Sequence, residues 1–176
     1  MARVNLVEKD EAHPMVKELY QKNEAINGRI INLWKVMGHC PYIGLNFQRL
    51  GNSLLKGEEL SPKLRELAIL RVGNLAQSEY EFAQHTAIAL RSGVSQNQID
   101  ELSNWAASKL FDEQERTVLA YTDEVAQDIR VKDETFARLR GLLSDHAIVE
   151  LTAAIGYYGM VCRILVALEV ELDSEP

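Results

Sequence analysis

A chain of 176 residues fits one domain of ordinary size and can bury its own hydrophobic core. Hydrophobic residues make up 47% and charged residues 26%, values of a globular protein rather than a disordered one. The formal net charge is −7, and no cluster of Lys and Arg overrides it, which argues against nucleic acid as a partner.

The first ten residues carry no apolar signal-peptide core. The longest uncharged stretch, 151–162, is interrupted by Arg163 and falls short of the roughly 20 apolar residues a bilayer span needs. A cytoplasmic protein with no membrane partner is expected. The two cysteines, Cys40 and Cys162, make neither a Cys-x-x-Cys pair nor a zinc spacing. They read as reduced structural thiols, with a disulfide between them left open.

Apolar residues recur at three- and four-residue intervals, which predicts an all-α chain. A first helix is expected over 14–25, stopped by Asn27-Gly28, and a short second one over 30–37. Pro41 then places Cys40 in a turn, because proline disfavours helix at the residue before it. A third helix follows over 41–55. Ser61-Pro62 opens a fourth with an apolar stripe of Leu64, Leu67, Ala68 and Val72. A fifth spans 78–91 and is ended by Gly93. Ser95 to Gln98 is a capping box that opens a short helix. Asp112 opens a helix reaching about Ile129, Asp133 caps the next, and Ser144 caps a last, longest helix ending near Leu172. Gly156 and Gly159 within it imply a close neighbouring backbone, in the same core by preference or in a symmetry mate.

The chemistry concentrates in 60–93. On a helix Ser78, Glu81 and His85 share one face, and Glu81 and His85, four residues apart, can meet. A carboxylate beside an imidazole orients the ring and raises its pKa, so the pair can act in acid–base chemistry. On spacing alone a solvated Glu–His pair is the commoner arrangement. Tyr80 and Phe82 beside it, and Arg65 and Glu66 one helix upstream, favour a site. His39 and Cys40 read as a structural turn, and His13 and His146 as exposed. Trp34, Trp105, Tyr157 and Tyr158 read as core. Glu66, Glu81 and His85 form too sparse a set for a metal centre.

The run with Arg65-Glu66-Leu67, Tyr80-Glu81-Phe82, His85 and Gly93-Val94-Ser95 resembles the carboxymuconolactone decarboxylase family. Its alkylhydroperoxidase D-like branch carries a Glu, a Cys-x-x-Cys twelve residues later, then a His. Glu66 and His85 match that frame, while Ser78 and Glu81 stand where the cysteines would be. The frame therefore lacks the thiolate and resolving thiol of a peroxidase. It is closer to the decarboxylase-type branch, with Phe82 in place of the usual tryptophan.

The resemblance implies a single-domain alkylhydroperoxidase D-like helical bundle, no cofactor and no metal, and a homotrimer or homohexamer. It implies a lyase acting on a small carboxylate-bearing lactone or an aromatic-derived acid. His85 would deliver a proton, Glu81 would activate it, and Glu66 would tune or relay. Arg65 or Arg71 would hold the substrate carboxylate, Ser78 would donate to the developing oxyanion, and Tyr80 would line the substrate site. The alternatives are a family member that binds a small hydrophobic acid without turnover, and a thiol-dependent hydroperoxidase.

Overall fold

The computed structural model describes residues 2–173, with the side chains of residues 26 and 27 left aside, and all regular structure among the described residues is helical. The helices are α1 (Pro14–Asn27), α2 (Asn32–Met37), α3 (Pro41–Lys56), α4 (Pro62–Leu75), α5 (Glu79–Arg91), α6 (Gln96–Asp100), α7 (Glu113–Asp123), α8 (Asp133–Leu142) and α9 (Asp145–Ala167). A 3₁₀ turn covers Leu102–Asn104, and a π turn, Glu124–Asp128, continues α7.

The chain divides into two compact units, one of residues 54–163 and one of residues up to 53 together with those from 164 onward. In the latter, α1 packs Val16, Leu19 and Tyr20 with Ala12 into a small core lined by Val7, Ile30, Trp34 and Leu45. The Tyr20 hydroxyl donates to the Val7 carbonyl at 2.7 Å, so this buried tyrosine keeps a partner for its one polar atom. His13 caps α1, its Nδ1 accepting from the Met15 amide.

In the unit of residues 54–163, Leu67 and Leu70 of α4 meet Ala89 of α5 and Leu119 of α7. Val94, Ile99, Leu102 and Phe111 complete that core, with Phe82 and Trp105 against it. The predicted stripe on α4 is real but understates its burial, since every residue from Leu64 to Gly73 is buried. Three of them are charged: Arg65, Glu66 and Arg71. A charge taken out of water needs a partner, so each of these fixes something else in the fold.

Arg71 is fixed by Asp123. Its Nε and Nη2 donate to the two carboxylate oxygens at 2.6 and 3.0 Å, and its Nη1 donates to Asn74 Oδ1 and the Leu102 carbonyl. Trp105 Nε1 donates to the same carboxylate at 3.1 Å. The fork ties α4, the 3₁₀ turn and α7 together.

Several helix ends follow the sequence signals. Ser95 and Asp112 both form full capping boxes, and the Ser144 hydroxyl accepts from the Ala147 amide. Other ends differ. Ser78 is the N-cap of α5 rather than its first residue. Asp133 lies inside α8, and Lys132 occupies the cap position without a side-chain bond. α7 runs on through the π turn to Asp128 and stops at a left-handed Ile129, as expected, and the Glu124 carboxylate accepts from the Lys132 amide and the Thr135 hydroxyl. α9 stops at Ala167 instead of running to Leu172: Glu169 turns left-handed at φ 50° and the Val170 amide closes back on the Leu165 carbonyl.

The preferred reading of the α9 glycines also changes. A Cβ on Gly156 would meet nothing within 4 Å, so no neighbouring backbone in this chain requires that glycine. One on Gly159 would meet only the Arg163 guanidinium of its own helix. α9 is the one described helix long and apolar enough to cross a membrane, and 50% of its apolar window is buried inside the protein. It is a half-buried helix, not the fully buried one its composition suggests.

Replacing Arg71 by Met should lower stability by about 3 kcal/mol, since it strands the half-buried Asp123 carboxylate. Urea unfolding measures this. Replacing Asp123 by Leu in the same variant should recover part of the loss.

Candidate active site

The other two charges on α4 build the site. α4 ends at Leu75, where the Ala76, Gln77 and Ser78 amides close on the carbonyls of Val72, Asn74 and Gly73. Gln77 takes a left-handed conformation at φ 52°, and α5 starts two residues later. So tight a reversal lays α5 back along α4 and brings His85 to Glu66.

His85 Nδ1 lies 2.7 Å from Glu66 Oε2, a short charge-assisted hydrogen bond. On the other edge of the ring, Nε2 lies 3.1 Å from Glu81 Oε1. This second contact is within ion-pair distance but off the line of an Nε2–H, so Glu81 Oε1 accepts no aligned hydrogen bond. All three residues are buried. A neutral imidazole has one N–H, whereas an imidazolium has two and serves both carboxylates. Burial opposes that charge, yet the hydrogen bond to Glu66 and the close negative charges of Glu81 and Glu66 outweigh it and raise the His85 pKa to about 9. At neutral pH His85 is therefore a buried acid. Its Nδ1 proton is held by Glu66, and its Nε2 proton is the looser one.

Arg65 precedes Glu66 and shares its end of the cluster. The guanidinium is buried, 3.8 Å from Glu66 Oε1 at its Nε, which is beyond hydrogen-bond reach. Its Nε and Nη1 find no acceptor among the described residues, and neither does Glu66 Oε1 find a donor. Gly57 presses on Nη1: a Cβ there would stand 2.5 Å away, and its φ of +52° also suits glycine.

α9 contributes a wall that the sequence did not reveal. Tyr158 meets the His85 ring edge to face, centroids 4.8 Å apart, and Tyr157 packs on Tyr158 at 5.2 Å. Burial, then the charges of Glu81 and Glu66, pushes the Tyr158 phenol well above the usual tyrosine range. Cys162, one turn further on, is buried and lies in the field of Glu81. Tyr158 and Cys162 are four residues apart on one face, a spacing visible in the sequence. Nothing in it says that this face turns toward α5.

The site residues expected from sequence divide accordingly. Arg65, Glu66, Glu81 and His85 come together. Ser78 adjoins them as the cap of α5, its oxygen accepting from the Glu81 amide at 3.4 Å, which sets where Glu81 stands. Tyr80 is buried on α5, about 100° around the helix from Glu81. Arg71 is not in the cluster: its donors are committed to Asp123, Asn74 and Leu102.

Both cysteines are free, Cys40 exposed and Cys162 buried. Burial, then Glu81, pushes the Cys162 thiol up to about 12, the opposite of an activated thiolate. Among the described residues no three His, Cys, Asp or Glu side chains are grouped to hold a metal ion. As an imidazolium, His85 has no lone pair to offer one.

Residues 41–124 match the model of the carboxymuconolactone decarboxylase family. Over that stretch, a little under half of its length, the chain is similar to that family. No curated protein matches it. Among solved structures it is similar to a protein of unknown function from Agrobacterium tumefaciens, provisionally assigned to antioxidant defence as an AhpD. That pair shares 26% identity with a TM-score of 0.75, covering 80% of this chain and 97% of the other. It is also similar to a variant of the debrominase Bmp8 in complex with 2,3,4-tribromopyrrole, at 21% identity and a TM-score of 0.82, covering 97% and 91%. A peroxidase-related protein with an AhpD core from Ralstonia eutropha aligns at 16% identity and a TM-score of 0.87, covering 98% and 93%. At such identities the last two show the all-α AhpD-like fold and nothing of the reaction.

His85 gives the chain a testable electrostatic signature. Its folded pKa lies above the roughly 6.5 of a free histidine, so the stability it contributes is complete below about pH 6.5 and lost as pH rises toward 9. Denaturation across pH 6 to 10 should show that decline, and His85→Gln should flatten it. The imidazole NMR signals of the wild type should titrate near the upper end of that window.

Proposed function

We propose that the chain is a cofactor-independent lyase of the decarboxylase type, acting on a small carboxylate-bearing lactone or aromatic-derived acid. The observation that supports this most is the buried His85 imidazolium between Glu66 and Glu81, a proton donor kept charged by two carboxylates. Such a reaction breaks the bond to the carboxyl carbon, releases carbon dioxide and leaves the electron pair as a dienolate in the ring. A proton must then reach carbon. In this reading His85 delivers it through Nε2, and the neutral imidazole it leaves is reprotonated from water.

Glu66 holds the ring from Nδ1 and supports the charge. Glu81 holds the Nε2 edge less tightly, so the proton there can leave. Arg65, with Nε and Nη1 free of protein acceptors, is the arginine for the substrate carboxylate in this reading, and Arg71 is not. Ser78 would serve the oxyanion through its hydroxyl hydrogen, since its oxygen accepts from the Glu81 amide. Assembly into a trimer or hexamer belongs to the same reading, and sedimentation velocity decides it.

A second reading keeps the site but not the turnover. Arg65, Glu66, Glu81 and His85 are all buried, which suits tight retention of a small acid as well as catalysis.

Carbon dioxide release from 4-carboxymuconolactone separates the two. The wild type should release it, and His85→Ala should lower the rate by about 10²- to 10⁴-fold while remaining folded. Undiminished turnover in a folded His85→Ala protein would remove His85 from the mechanism. Calorimetric binding of the lactone without release by the wild type would favour the second reading.

A further inference from the structure

The buried Arg65 raises the question of how anything reaches it. The segment against it is the turn of residues 57–60, between α3 and α4. Gly57 lies on the guanidinium so closely that a Cβ would stand 2.5 Å from Nη1. At the other end Leu60 is buried, while Glu58 and Glu59 face solvent. This short turn is not held by regular backbone pairing. Its three consecutive amides all point at one side chain: those of Glu58, Glu59 and Leu60 donate to the Glu150 carboxylate at 2.6, 3.2 and 2.6 Å.

Glu150 stands on the second turn of α9, and the start of that helix grips the turn again. The Ser144 hydroxyl donates to the Glu59 carboxylate. His146 lies 3.5 Å from Glu150, 3.7 Å from Glu58 and 3.9 Å from Glu59. Three converging amides form a nest that favours a carboxylate charge, and they hold the Glu150 pKa below its usual range against the cost of its partial burial. The polar contacts that fasten the turn therefore come from α9 and its cap Ser144, and three of them converge on a single carboxylate, while Leu60 is held by burial.

We infer that Glu150 is a positioning residue that pins the 57–60 turn as a cover over Arg65, so that release of this one carboxylate opens the anion-binding end of the site. The inference deepens the reading of Arg65 as the carboxylate holder, and so rests on it for the ligand class. The geometry of the cover stands apart from that reading. With the turn seated, Gly57 leaves no room beside Nη1 even for a methyl group. With it lifted, the Nη1 edge is reached from solvent. The ligand class is a carboxylate, because Arg65 offers two guanidinium nitrogens, Nε and Nη1, without protein acceptors among the described residues.

The test reads Arg65 directly. Phenylglyoxal reacts with accessible guanidinium groups, and peptide mapping separates Arg65 from other arginines. Intact wild type should label slowly at Arg65. Glu150→Ala should speed that labelling by about tenfold or more, since three amides lose their acceptor together. Glu150→Gln, which keeps one acceptor oxygen, should lie between. Gly57→Ala, which drives a methyl into the guanidinium, should match Glu150→Ala and serves if that variant folds poorly. The rate at the exposed Arg140 should not change in any of them.

Hydrogen exchange at the amides of residues 58–60 should accelerate in parallel in Glu150→Ala. Unchanged Arg65 labelling in folded Glu150→Ala and Gly57→Ala proteins would overturn the inference. Benzoate supplies the separate check on ligand class. Protection of Arg65 by benzoate in Glu150→Ala supports a carboxylate site. Faster labelling without benzoate protection would keep the cover and reject the carboxylate reading.

Discussion

Glu66 is fully buried, and its carboxylate is what the surrounding structure has to answer. A buried charge of that kind destabilises a fold unless a partner meets it at hydrogen-bond distance. His85 does so at 2.7 Å, and this requires α5 to return along α4 after the turn at Gln77. Ser78 then caps α5 and places Glu81 one helical turn before His85, on the other edge of the same ring. Once both ring nitrogens face carboxylates, the proton count of the imidazole follows. The acid in the middle of the site is a consequence of how α4 is buried.

The same helix shows two uses of a buried arginine. Arg71 has acceptors for every edge of its guanidinium and locks α4 to α7. Arg65 has Glu66 near it but out of bonding range, and a glycine against its Nη1. One arginine stabilises the fold, and the other holds hydrogen-bonding capacity in reserve beside the acid. The Glu–His frame comes from the α4–α5 hairpin, and its surroundings are a serine, a second carboxylate, two phenols and a thiol whose pKa burial raises.

Several parts of this were legible in the sequence. Turn and cap chemistry is local, so Asn27-Gly28, Ser61-Pro62, the Ser95 and Asp112 boxes and Gly93 marked helix ends correctly. The i, i+4 spacing of Glu81 and His85 announced their contact, because helix geometry alone brings such residues together. The signals failed where no residue type marked the outcome. The end of α9 is set by a left-handed Glu169, a residue type that gives no stop signal.

The sequence by itself determined an all-α chain, the Glu66 to His85 frame and the loss of the cysteine pair, since each depends on residue identity and short-range spacing. Only the tertiary structure decided which of two arginines stands by the acid, for Arg65 and Arg71 look alike along α4 and differ in what packs against them. It also decided that Tyr158 and Cys162 close the site and that Glu150 reaches the amides of residues 58–60. Those choices join residues about 70 to 90 positions apart, where chain spacing carries no information and only the packing of buried helices brings the groups together.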